Sequence, residues 1–190
     1  MLELGRASPD EMVLAFVRGE IDSPTYKDAY ALALSARGLS RGSLIDRADL
    51  GDERASRERA NVLGDVRGYG RNQALFTKFP DKVKWRRVSL SPSDFFKLKY
   101  INNGGWVELP GDRSVRLGVA VAKAFPAVRS ILERIEAGHP IPDLILIDDL
   151  KGHLVVLEGN HRATAFLAAG APKIETLLGS SPEMSRWAFI

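Results

Sequence analysis

Residues 140–170, PIPDLILIDDLKGHLVVLEGNHRATAFLAAG, constrain the fold more than any other part of the chain. Two short apolar runs, LILI and LVVL, sit between proline, glycine and acidic residues, as buried strands do. PIPDLILIDD reads as one strand, Leu150-Lys151-Gly152 as a turn and residues 153–157 as its hairpin partner. Gly159 then permits a turn too sharp for a side chain. Asn160 suits an N-cap, and 161–169 repeats as a helix closed by Gly170. A buried hairpin leading into a helix belongs to an α+β fold.

The remaining punctuation fills in such a fold. Ser8-Pro9-Asp10-Glu11 is a capping box with proline at the first helical position, followed by Met12, Val13, Phe16 and Val17 at helical spacing. Ser23-Pro24 opens a second helix that Gly38 ends, and 49–63 reads as a charged surface helix. Gly64, Gly68, Gly70 and Pro80 mark 64–83 as loop. WRRVSL at 85–90 predicts a strand, Ser91-Pro92-Ser93-Asp94 a helix start, and 126–137 an amphipathic helix. Residues 174–178 read as a last strand. The division this suggests is a helical segment 1–66, a basic linker 67–84 and an α+β domain 85–190.

The chemistry concentrates at Glu158-Gly159-Asn160-His161-Arg162. A helix opening directly after a strand presents free N–H groups and the positive end of its dipole, which suits a phosphate. Gly159, Asn160, His161, Arg162, Ala163 and Thr164 are the expected phosphate contacts, with Arg162 offering a bidentate grip. Glu158 beside an anion calls for a positive partner, and Mg²⁺ bridging Glu158 to a polyphosphate is the reading taken here. Glu158 and His161 are thus the catalytic candidates in the loop. Glu108 and Asp94 are candidate general bases, since transfer to a hydroxyl needs a carboxylate near the acceptor. Trp106, beside Asn102, Asn103 and Glu108, reads as an anchor of its glycine-rich loop.

The order of elements over 85–178 and the EGNHR loop resemble the ParB/sulfiredoxin superfamily. Its partition proteins read Gly-Glu-Arg-Arg at this loop, sulfiredoxins Gly-Cys-His-Arg, and free-serine kinases acidic-Gly-His-His-Arg. The kinase form is the nearest. The resemblance implies a ParB/sulfiredoxin-like fold, a nucleotide such as ATP with Mg²⁺, and phosphoryl transfer to a small hydroxyl-bearing substrate, or nucleotide hydrolysis. Two departures bear on this. Asn160 stands where sulfiredoxin has cysteine and where the kinases have their first histidine, and no helix-turn-helix module follows the loop.

Charge distribution supports an alternative. Residues 67–87 carry Arg67, Arg71, Lys78, Lys82, Lys84, Arg86 and Arg87 against the single acid Asp81, in a chain of net charge +3. A non-catalytic nucleic-acid-binding or regulatory module would use Arg67, Arg71, Lys84, Arg86 and Arg87 as its footprint. The chain has no cysteine, which excludes disulfides and thiolate chemistry. No apolar run is long enough to cross a bilayer and the opening residues are unlike a signal peptide, so no membrane partner and a cytoplasmic location are expected.

Overall fold

A computed structural model describes residues 1–190 as an α+β fold built on a six-stranded mixed sheet. In chain order the strands are β1 (Leu2–Ala7), β2 (Lys84–Leu90), β3 (Leu98–Lys99), β4 (Leu144–Asp148), β5 (Leu154–Glu158) and β6 (Ile174–Ser180). The helices are α1 (Pro9–Glu20), α2 (Lys27–Ala36), α3 (Glu53–Arg67), α4 (Val115–Ala122), α5 (Pro126–Glu136) and α6 (Asn160–Ala168). The spatial order of strands is β1-β2-β6-β4-β5-β3. β4 runs parallel to β6 and β3 parallel to β5, while the other pairs are antiparallel.

The LILI and LVVL runs behave as their composition requires. Ile145, Ile147, Val155 and Leu157 point to one face and enter a core with α1, α2 and α3. Leu144, Leu146, Leu154 and Val156 point to the other and pack with residues of α4 and α6. Strict alternation at every position is the period of the pleated strand. The first core also takes in Trp85, Leu177, Met184 and Trp187. One buried cluster therefore runs across the sequence boundaries at 66 and 84.

The capping box forms in full: Glu11 N–H donates to Ser8 Oγ at 3.1 Å and Ser8 N–H to Glu11 Oε2 at 2.8 Å. Several expectations shift. Residues 2–7, within the segment read as helical, are an edge strand whose Leu2 and Leu4 stay exposed. Its ladder partner is β2, far along the chain, so local hydropathy does not mark it. The charged helix starts after Asp52, whose carboxylate accepts from Arg54 and Ala55 N–H, and it continues to Arg67. Gly68, at φ 84°, ends it. The segment opening at Ser91 makes only a short 3-10 turn at Asp94–Lys97. Helix α4 had no counterpart in the sequence reading.

Candidate functional site

Gly159 occupies the left-handed region at φ 101°, and a β-carbon there would lie 2.7 Å from Leu144 Cδ2 and 3.1 Å from Arg162 Nε. Glycine is required for conformation and for space. The turn drops the chain from β5 straight into α6, and the first intrahelical bond runs from Ala163 N–H to Gly159 C=O at 2.8 Å. The N–H groups ahead of that bond, at residues 160–162, are the ones a helix leaves without internal partners.

Side-chain placement differs from expectation at four positions. Asn160 is the first helical residue and Gly159 the cap. Asn160 Oδ1 instead accepts from Ile101 N–H at 3.3 Å, tying the 100–109 segment to the turn. Ala163 N–H is consumed by the helix, and its methyl lies in the second core. Thr164 is buried, its hydroxyl donating to Asn160 C=O at 2.9 Å and meeting Tyr100 Oη at 2.8 Å, so it faces the fold. Arg162 is also buried, against the Glu158 carboxylate. The i,i+4 relation across the turn is what brings the two together.

The Glu158–Arg162 pair has a lid. Gly19 of α1 lies so close that a β-carbon there would meet Arg162 Nη2 at 2.6 Å and Glu158 Oε2 at 2.7 Å. The next residue, Glu20, is buried too, accepting from Tyr30 Oη at 3.1 Å and lying 3.7 Å from Arg67 Nε. Burial raises the Glu20 carboxyl to about 7, against the pull of Arg67, Tyr30 and Arg162. Burial likewise lowers the Arg162 guanidinium to about 10. Arg162 Nη1 has no hydrogen-bond partner.

His161 sits at the solvent edge of the turn, its ring 4.8 Å from that of Trp106 in an edge-on arrangement. Desolvation lowers its pKa below the ordinary histidine value. Trp106 stacks on Tyr100 at 4.7 Å and contacts Phe125 at 6.0 Å. It anchors its loop, as expected, and also forms a wall beside His161.

Glu108 is exposed on the same 3-10 turn as Trp106, Gly104–Glu108. Asp94 is buried and committed to Ser91 N–H at 3.0 Å and the Met1 ammonium at 2.6 Å, which leaves no base there. The Glu158 carboxylate expected to hold Mg²⁺ is paired with Arg162, and no group of three or more histidine or carboxylate side chains gathers around it.

The basic segment is largely neutralised from within. Arg67 pairs with Glu20 and lies 4.2 Å over the Tyr26 ring, Arg71 pairs with Asp65, Arg86 with Glu3, and Arg87 with Glu11 and Asp143. Of the proposed footprint only Lys84 lacks an ion-pair partner.

Sequence reading missed Gly19, Glu20 and Tyr100. A signal for Glu20 was present: it continues the Met12, Val13, Phe16, Val17 stripe, so an acid falls on an apolar face. No helix of the chain is long and apolar enough to cross a membrane. No family model, no curated protein and no solved structure matches the chain.

Proposed function

We propose that the first turn of α6 binds the phosphate of a nucleotide, and that the chain belongs to the ParB/sulfiredoxin type of fold. The observation that carries the reading is the Gly159 turn. It aims the unpaired N–H groups of 160–162 outward from a helix end. The buried, incompletely bonded Arg162 guanidinium lies beside the same turn, close to Gly159. His161 supplies a further donor, and the Trp106 ring beside it could carry a base or sugar.

In this reading Glu158 orients and neutralises Arg162 instead of holding a cation, and no Mg²⁺ is anchored at that carboxylate. The proposed chemistry is phosphoryl transfer or nucleotide hydrolysis by positioning, with exposed Glu108 as the acceptor-side base. A nucleic-acid footprint along 67–87 is the weaker reading, because its arginines already carry partners.

Calorimetry with ATP, CTP, AMP and pyrophosphate tests the proposal, using His161→Glu as the variant. A carboxylate in the first turn strengthens the helix by roughly 0.3–1 kcal/mol yet repels an anion. The expected result is unchanged or raised Tm with affinity lowered at least about tenfold, roughly 1.4 kcal/mol. No heat with any of these ligands in the wild type would refute the anion site.

A further inference from the structure

A cavity of about 410 Å³ lies away from the α6 turn, under the 69–83 loop, between the start of β2 and the C-terminal 3-10 turn. We propose that this cavity binds a small aromatic zwitterion, a free amino acid bearing a ring. Its volume falls in the range of small-molecule sites.

Aromatic rings line one side. Tyr69, Phe76 and Phe79 pack edge to face at 5.0 and 5.1 Å, and Trp85 lies flat on Gly179, where a β-carbon would come within 2.7 Å of the indole. The Tyr69 hydroxyl and the Trp85 indole N–H bond to no other group of the protein, and neither atom is cut off from solvent.

The charges on the lining select the ligand. Arg186 and Glu183 pair with each other at 3.1 Å. Lys78 and Asp81 remain, one cation and one carboxylate, and neither is paired with the other or with any other group. A carboxylate for Lys78, an ammonium for Asp81 and a ring for the aromatic side describe one molecule. Lys78 is moreover held at φ 57°, within a loop where Asn72 at φ 52° and Ala74 at φ 46° are also left-handed. Asn72 Oδ1 accepts from Lys78 N–H at 2.5 Å and fixes that conformation. Left-handed backbone at non-glycine residues persists where the surroundings impose it, and it clusters at ligand sites.

The test follows the three indole N–H resonances of the ¹⁵N-labelled full chain, assigned by Trp85→Phe. L-phenylalanine, L-tyrosine and L-tryptophan are titrated first. The Trp85 resonance should move with at least one of them while that of Trp106, beside the α6 turn, stays still. Phenylethylamine, lacking the carboxylate, and 3-phenylpropionate, lacking the ammonium, should each bind at least about tenfold more weakly than L-phenylalanine. Lys78→Gln should bring L-phenylalanine down to the level of phenylethylamine, and Asp81→Asn to that of 3-phenylpropionate. Both residues are exposed, so folding is retained. A Trp85 resonance unmoved by all three amino acids overturns the proposal. So does equal binding of the truncated compounds, or a shift confined to Trp106, which would place the ligand at the α6 turn instead.

Discussion

At the scale of single residues, the chain stores ionisable groups where water does not reach them. Arg162 and Glu158 are both buried and depend on each other. Arg162→Met should cost about 3–5 kcal/mol in urea unfolding, because it strands the carboxylate. Adding Glu158→Leu in the same chain should recover most of that loss, and a double variant no more stable than Arg162→Met would show that the pair is not the unit. Glu20 makes a prediction in pH. Its folded-state pKa of about 7 lies above the 4.5 of an unperturbed carboxyl. Between those values the folded chain keeps a proton that the unfolded chain has lost. Stability therefore falls as pH rises through this window, by about 3 kcal/mol in all, and levels off above it. Glu20→Gln should abolish that decline, which urea titrations at pH 4.5 and pH 8 would reveal.

At the scale of elements, the sequence disclosed what short-range patterns encode. The capping box of α1, the β4–β5 hairpin and the glycine turn into α6 each depend on neighbours a few residues away. What stayed hidden depends on distant partners. β1 is a strand because β2 pairs with it, and Asn160 serves the Ile101 N–H because the 100–109 segment folds back. Arg162 is charged, so by itself it reads as a ligand-facing residue; only the arrival of α1 over the turn makes it internal. That packing is testable at Gly19. Alanine is intrinsically better than glycine in a helix by about 1 kcal/mol. Here the added methyl meets the buried Arg162 guanidinium at 2.6 Å and can fit only if that side chain and Glu158 move. Gly19→Ala should lower stability despite the propensity gain, and should weaken nucleotide binding at the α6 turn by shifting Arg162. A Tm raised by the substitution would show that α1 stands further off.

At the scale of the whole molecule, the sheet has helices on both faces and two cores that meet through its strands and at Trp106. α1 to α3 bury their apolar faces on β-strand residues that come more than sixty positions later, such as Ile145 and Leu177. The strand order adds a further asymmetry. β6 lies between β2 and β4, so the β1-β2 pair and the β4-β5-β3 group are joined only through it. On a ribosome this sets a schedule. Everything before residue 174 can emerge as two unconnected pieces of sheet with uncovered edges, and of the contacts that unite them those between β2 and β6 span most of the chain's second half. Such a topology has high contact order, and ordering must wait for distant segments to meet. The nascent protein thus carries the apolar faces of its first three helices without their sheet partners until the strands of the second half of the chain arrive.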